Sequence, residues 1–356
     1  MRKITYCDAI REATVQEMER DSDIFIYGID IPDHKGIFGS TLGLQEKFGK
    51  DRVFDTPIAE DSMTGFGIGA AINGLRPIHV HMRVDFMLLA CNQIMNMMSS
   101  HNYASCSQLS VPMTIRAVVG RGWGQGFHHS KTMHGIFAHI PGLKVVLPTT
   151  AYDAKGLLTS AIRDNNPVIV FEHRWLYWQV GEVPEESYTI PIGDGNILKK
   201  GDDITIVGTS WMNVEASFAA DILEKYHNIS VEIVDPRTIS PFGNDNGNKG
   251  NNEQLIIDSV KKTGHCLVAD NDWVSNSFGS EVAARVSEKC FDNLEKPVKR
   301  IGFANTPCPT ARHLENEFYP NAKNIVREVE KLLDLKPTDL SDEKFYSYEN
   351  KFKGPF

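Results

Sequence analysis

Several protein classes leave no mark on this sequence. Its six cysteines (Cys7, Cys91, Cys106, Cys266, Cys290 and Cys308) never fall in a Cys-x-x-Cys spacing, so neither a disulfide framework nor a zinc site is signalled. Reduced, mostly buried thiols are expected instead. The N-terminal stretch has no apolar core of leader length, and no later run approaches the ~20 residues needed to cross a bilayer; a soluble, cytoplasmic protein is expected. Basic residues are outnumbered, 37 Lys and Arg against 46 Asp and Glu for a net charge of −9. They are scattered rather than striped, which removes the electrostatic basis of nonspecific nucleic-acid binding. Twelve histidines include His79, His81, His128 and His129. His79-Val80-His81 lies in an alternating, strand-like run without an acidic or cysteine partner nearby, so a structural or hydrogen-bonded role is expected rather than metal ligation.

What is present is ordinary globular material, 356 residues that are 41% hydrophobic and 23% charged, enough for two cores. Thr5-x-x-Asp8 predicts a capped first helix. Strands at Ile24 to Gly28, Val53, Ile78 to Met82, Met113 to Val119, Leu143 to Leu147 and Val168 to Glu172 alternate with helices at Leu42 to Phe48, Met63 to Asn73, Phe86 to Ser100 and Tyr152 to Arg163. Such alternation predicts a mostly parallel sheet covered by helices. A polar, proline-marked stretch over 183–196 reads as a linker. Strands at Ile204 to Val207, Val231 to Val234, Cys266 to Ala269 and Val298 then alternate with helices at Glu215 to Lys225, Gln254 to Lys262, Ser280 to Cys290 and Ile325 to Leu333. The expected fold is two doubly wound α/β domains, 1–182 and 197–338, with a polar tail over 339–356. Gly243 to Asn252 reads as a surface loop. The tail is either unstructured or uses Phe345, Tyr346, Tyr348 and Phe352 to hold a partner.

One carboxylate stands out. Asp55-Thr56-Pro57-Ile58-Ala59-Glu60 ends a strand just before a helix of small residues, Gly65 to Ala71. Ligands of open α/β sheets gather outside the carboxyl ends of strands. Position alone leaves Glu60 open as an active-site acid or as a cap on the helix that follows.

Longer motifs accompany it: DTPIAE (55–60), GAAINGLRPI (69–78), DFMLLACNQI (85–94), HHS (128–130), HIPGLKVVLPTTAYDAKGLL (139–158), AIRDNNPVIVFEH (161–173), VPEESYTIP (183–191) and SVKKTGH (259–265). Through them the whole chain resembles the β subunit of the decarboxylating component of 2-oxoacid dehydrogenase complexes. That family includes acetoin dehydrogenases and is related to the pyrimidine-binding and C-terminal domains of transketolase. The resemblance implies thiamine diphosphate shared with an α-type subunit in an α2β2 heterotetramer, with magnesium held by that α subunit. A lipoyl acyltransferase is a further partner it suggests. Glu60 matches the carboxylate that activates the cofactor's aminopyrimidine, and His129 the histidine that handles protons on bound intermediates. Phe86 matches the aromatic ring stacked on the pyrimidine. Met82, on the same wall, is open between cofactor contact and core packing, and Asp30 is the one acid at a position where the family commonly has a Glu-Glu pair. The resemblance further implies a structural potassium ion on backbone carbonyls of Met113, Ala161, Asp164 and Asn166.

Gly193-Asp194-Gly195-Asn196 imitates the start of a magnesium-diphosphate motif. It lies at the linker, Asn251-Asn252 is far along the chain and Asn165-Asn166 precedes it, so a turn is expected there. Departures from the pyruvate pattern gather at Asp61, Arg83, Trp123 and His128, which suggests either a larger or more polar substrate or a different docking of the α subunit. Three activities follow: a 2-oxoacid dehydrogenase component with a lipoyl acceptor, a split transketolase or acyloin-forming enzyme acting on a polar or sugar-derived ketone, and a noncatalytic assembly subunit.

Overall fold

The computed structural model describes residues 1–345 except Trp123, Asp245, Asn246 and Asn248. Tyr346, Tyr348, Phe352 and part of the 243–252 loop therefore lie outside the described residues. The described chain divides into two compact units, one of Met1–Gly120 and Ile136–Ile192, the other of Arg121–Gly135 and the described residues from Gly193 on. The segment before residue 136 thus groups with the second unit although its flanking strands belong to the first. Among the described residues no helix is long and apolar enough to cross a membrane.

The first unit runs β1 (Arg2–Thr5), α1 (Tyr6–Arg20), β2 (Ile24–Tyr27), α2 (Leu44–Phe48), β3 (Val53–Phe54), α3 (Glu60–Ile72), β4 (Arg76–His81), α4 (Val84–Met87), α5 (His101–Ala104) and β5 (Thr114–Val119). It continues through α6 (His134–Ala138), which straddles the division, β6 (Lys144–Val146), α7 (Ala151–Arg163), β7 (Val168–His173) and β8 (Val180–Val183). Its main strands lie in the order β6-β7-β5-β4-β2-β3, each pair parallel. β2, β5 and β7 are buried at every residue, as strands covered by helices on both faces must be. Thr5 caps α1 by accepting from Asp8 N, as the sequence predicts, and Thr150 with Asp153 forms a capping box on α7.

Two local expectations change. The single helix over 86–100 is instead α4, a 3-10 turn at Leu88–Ala90 and a π-helical stretch at Gln93–Met98. The chain stays helical there while its hydrogen-bond register shifts, which residue pattern alone does not encode. The stretch read as a linker begins and ends in strand: β8 pairs antiparallel with β1, and Asn196–Lys199 forms an edge of the second sheet.

The second unit comprises β9 (Asn196–Lys199), β10 (Ile204–Gly208), α8 (Trp211–His227), β11 (Val231–Asp235), β12 (Thr238–Ser240), α9 (Asn252–Thr263), β13 (Cys266–Trp273), α10 (Phe278–Lys289), β14 (Lys299–Phe303), α11 (Arg312–Phe318) and α12 (Ala322–Leu332). Its sheet runs β14-β13-β10-β11-β9, parallel except for the β9 edge. Leu340 and Phe345 are buried in the core formed by α8, α12 and this sheet, so the tail begins as packed structure rather than as a polar extension. Two apolar side chains in that core outweigh the polar composition around them.

Candidate active site

Four residues singled out by the sequence come to one end of three neighbouring parallel strands. Asp30 follows β2, Glu60 follows β3, and Met82 and Phe86 follow β4. The turn out of β2 needs Gly28: its φ is +152°, and a Cβ there would lie 2.3 Å from Val80 O. Asp30 also holds a positive φ, 59°, and its N–H donates to Asp55 Oδ1 at 2.9 Å. Burial and the nearby Asp55 and Asp33 carboxylates raise the Asp30 pKa. Backbone strain beside clustered acids is typical of binding sites.

Glu60 is the first residue of α3, half-buried, and the helix N-cap is Ala59, with no side-chain cap bond. Glu60 is therefore not a side-chain cap, although with Asp61 it places negative charge in the first turn, where the helix dipole favours it. Among the described residues its carboxylate has no hydrogen-bond or ion-pair partner. Met82 and Phe86 are half-buried, and Asp61 is exposed, accepting a long bond from Gln93 Nε2 at 3.4 Å. Arg83 is only 3% exposed and donates from Nη1 to Gly120 O at 3.0 Å. It closes the end of β5 from inside.

The helix that carries Glu60 is anchored underneath. Tyr27 stacks on His79 at 4.4 Å with 5° between the rings, and His79 lies 4.2 Å from His81. Tyr27 Oη donates to Met63 O at 3.0 Å, and Thr64 Oγ1 meets His79 Nδ1 at 3.3 Å. Thr64 is one turn beyond Glu60 on the same face. Burial pulls the His81 pKa down to about 3 and lowers that of His79 as well, helped by His81. Both are neutral core histidines, in keeping with the structural role expected of them.

In the second unit, Gly126–His128 forms a 3-10 turn that ends at His129. His128 is exposed with its ring against Phe127, and His129 is half-buried. Trp123 lies outside the described residues. Arg121, 4% exposed, binds Glu315 at 3.0 Å and also reaches Asn316.

The profile of the transketolase pyrimidine-binding domain matches residues 2–179, and that of the transketolase C-terminal domain matches 193–325. A 2-oxoisovalerate dehydrogenase subunit β from Bacillus subtilis (strain 168) is 40% identical over 94% of this chain and all of that protein. The chain belongs to the β-subunit family of 2-oxoacid dehydrogenase E1 components. In this family it is also 37% identical to an acetoin:2,6-dichlorophenolindophenol oxidoreductase subunit β of the same organism, over 93% of this chain and 98% of that one. A pyruvate dehydrogenase E1 component subunit β from Staphylococcus aureus (strain Mu50 / ATCC 700699) is 38% identical over 94% of this chain and all of that protein. A solved split-gene transketolase, an inactive β4 tetramer, superposes with a TM-score of 0.72 over 94% of this chain and 99% of that chain at 23% identity. That last likeness speaks for the fold. Membership of the E1 β family implies use of thiamine diphosphate, and Glu60, whose carboxylate at the strand ends is unengaged among the described residues, fits that cofactor.

The remaining family positions are mixed. Met113 sits beside the 161–166 loop, its carbonyl accepting from Val168 N at 3.1 Å. Ala161 O accepts from Asp164 N and Asp164 O from Arg76 Nη2, while each carbonyl oxygen keeps a second lone pair. These oxygens suit potassium by type, yet Arg76 and the Lys144 ammonium on Asp164 already bring positive charge to the loop. Gly193 to Gly195 and Asn251-Asn252 are adjacent in space after all: Gly195 N donates to Asn251 Oδ1 at 2.9 Å and Asn252 N to Gly193 O at 3.0 Å. Both asparagines are bound to backbone there, Asn252 also bridging Thr238 O, Pro241 O and Gly243 N. Among the described residues no group of three or more His, Cys, Asp or Glu side chains is placed to hold a metal. Sequence reasoning missed Thr64, Tyr27, Glu315 and Tyr319, whose contacts join distant segments without any local motif.

Proposed function

We propose that this chain is the β subunit of a heteromeric, thiamine-diphosphate-dependent 2-oxoacid dehydrogenase, and that Glu60 activates the cofactor. The observation that carries this reading is the position of Glu60: a carboxylate without a partner among the described residues, on the first turn of α3, at the strand ends that also carry Met82 and Phe86. Thiamine diphosphate, when bound, supplies a nucleophilic carbon that adds to the substrate carbonyl and stores the electron pair left by decarboxylation. Glu60 would hold a proton at the pyrimidine's 1′ nitrogen, and Met82 and Phe86 would offer the ring an apolar wall. Asp30 borders the same edge. His129 would hold or release a proton on the substrate side, a task suited to imidazole near neutral pH.

On this reading an α-type subunit completes an α2β2 assembly in the cytoplasm and holds magnesium with the diphosphate. A lipoyl acyltransferase takes up the acyl group. Asp61 and His128, exposed and polar, are the candidate substrate contacts, whereas buried Arg83 shapes the wall by fixing Gly120. A potassium ion on the carbonyls of Met113, Ala161, Asp164 and Asn166 would raise the thermal midpoint in KCl over NaCl; equal midpoints across a concentration series remove it from the reading.

The test is co-expression with an α-type subunit and comparison of Glu60→Gln with wild type. Expected is a fall in turnover of roughly 10²-fold or more with cofactor still bound, read by fluorescence or calorimetry. Near-wild-type turnover would refute the role of Glu60. A parallel screen of oxoacids and ketoses with and without a lipoyl acceptor distinguishes dehydrogenase from carbon-transferring chemistry.

A further inference from the structure

The described residues of the segment Arg121–Gly135 are held at several points by the rest of the second unit. At its start Arg121 pairs with buried Glu315, and Gly124 N donates to the other oxygen of that carboxylate at 3.3 Å. Thr310 closes on the backbone at the next turn: a Cβ on Gly126 would come within 2.7 Å of its methyl group. Immediately after His129, the Ser130 carbonyl accepts a 2.7 Å hydrogen bond from the fully buried hydroxyl of Tyr319. Two residues on, Thr132 Oγ1 accepts from Asn271 Nδ2 at 3.1 Å. His134 Nε2 then lies 2.9 Å from Asp270 Oδ1, both side chains almost wholly buried.

Between the last two contacts sits Met133 with φ +51°. A non-glycine residue in the left-handed region persists only where its surroundings over-determine it. Asn271 and Asp270, consecutive on β13, hold the residues on either side of it.

We propose that Tyr319, Asn271 and the Asp270–His134 pair are positioning residues that hold His129 in its working place, so that the second unit sets the geometry of a catalytic histidine. The proposal rests on the reading of His129 given above. It gives this unit a part in the reaction beyond assembly. Burial opposes the charge on His134, but Asp270, with Asp272 behind it, outweighs burial and raises the His134 pKa. For Asp270, burial is likewise outweighed by His134, the Thr209 hydroxyl and Gly279 N, and its pKa is lowered. Both shifts favour the charged pair, which weakens as pH rises through the raised His134 pKa and that ring gives up its proton. Asp270 and Asp272 are the charged groups that face His134.

The test uses the complete enzyme with its α subunit, comparing wild type, Tyr319→Phe, Asp270→Asn and His129→Ala. Tyr319→Phe keeps the ring and removes only the bond to Ser130. Expected for Tyr319→Phe and Asp270→Asn is a fall in kcat of at least tenfold, with KM for the oxoacid and cofactor affinity within about twofold, and faster amide exchange across 126–134. Asp270→Asn should also move the alkaline limb of the kcat profile to lower pH, because His134 loses the carboxylate that keeps it charged; a merely structural role would leave that limb in place. In wild type, exchange across 126–134, corrected for intrinsic base catalysis, should rise as pH climbs through the titration of His134, which needs no variant to fold. Unchanged exchange and an unmoved limb overturn the clamp while leaving His129 standing. Full turnover in His129→Ala overturns the role of His129 and the clamp's catalytic purpose together, whatever the exchange data show.

Discussion

Gly67 offers a quantitative test of how α3 is held. It lies two turns after Glu60 on the same helical face, and a Cβ there would come 2.1 Å from Tyr27 Oη and 2.8 Å from Met113 Cε. The methionine end is flexible and can yield. The tyrosine hydroxyl cannot yield cheaply, because it is buried, stacked on His79 and bound to Met63 O at 3.0 Å. Restoring even a 3.0 Å contact moves helix or hydroxyl by about 0.9 Å. Overpacking of this kind costs about 1–3 kcal/mol, and a broken Tyr27 hydrogen bond adds about 1 kcal/mol. Alanine's higher helix propensity returns about 1 kcal/mol. Gly67→Ala should thus destabilise by about 1–3 kcal/mol. In a Tyr27→Phe background the hydroxyl obstacle is gone, and the same substitution should be neutral or stabilising by up to about 1 kcal/mol, a coupling of about 1–4 kcal/mol in a double-mutant cycle. Denaturant unfolding of the four proteins measures it. Turnover with the α subunit should fall by about 10²-fold in Gly67→Ala alone, since a ~1 Å displacement of the helix reaches Glu60. A stable Gly67→Ala, or additive single effects, would refute the reasoning.

Two other substitutions probe the first unit. Arg116 is fully buried, with Nε 2.6 Å and Nη2 3.0 Å from Glu172 and Nη2 also on Ser40 Oγ; Arg116→Met strands that carboxylate with Tyr177 and should cost about 3–5 kcal/mol, with Arg116→Met/Glu172→Leu recovering part of it in the denaturant midpoint. His81, whose pKa burial lowers to about 3 from an ordinary 6.5, must be protonated in the unfolded chain before the folded one, so stability present above pH 6.5 should fall by roughly 2 kcal/mol by pH 5. His81→Phe should flatten that acid slope, and an unchanged slope would remove His81 as its cause.

Much of the fold was legible because its signal is local. The buried strands of both sheets are short apolar runs, and Thr5 and Thr150 announce their helices by side-chain chemistry that acts within one turn. β1, β8 and β9 escaped because each is four residues, partly exposed and studded with charge or glycine, so neither an apolar run nor a clean alternation marks it. Glu60 was legible as a carboxylate after a strand, and the longer motifs decided its family. The support beneath and behind the site was not legible. Tyr319 reaches Ser130 across 189 residues and Arg121 reaches Glu315 across 194, and pairing over such distances leaves no local pattern. The Gly-Asp-Gly turn shows the same limit in reverse: distance along the chain hid Asn251 and Asn252, which the fold brings back to it.

The buried titratable groups give the two units opposite responses to pH. In the first unit His79 and His81 are kept neutral by burial. Below 6.5 the unfolded chain takes up protons that the folded unit refuses, so its stability rises with pH. In the second unit burial raises Glu215 to about 7, despite hydrogen bonds from Ala322 N and the Trp211 indole. Between its ordinary 4.5 and about 7 the folded state holds a proton that the unfolded chain has released, so stability there falls as pH rises. His134, raised by Asp270 against burial, contributes in the same sense, its stabilisation being lost as pH rises through its raised pKa. Between pH 5 and 6.5 acidification therefore weakens the sheet beneath Glu60 while strengthening the unit that carries His129, and alkalisation reverses the order. Over that range the groups buried beneath Glu60 and those in the unit that carries His129 thus respond to pH with opposite sign.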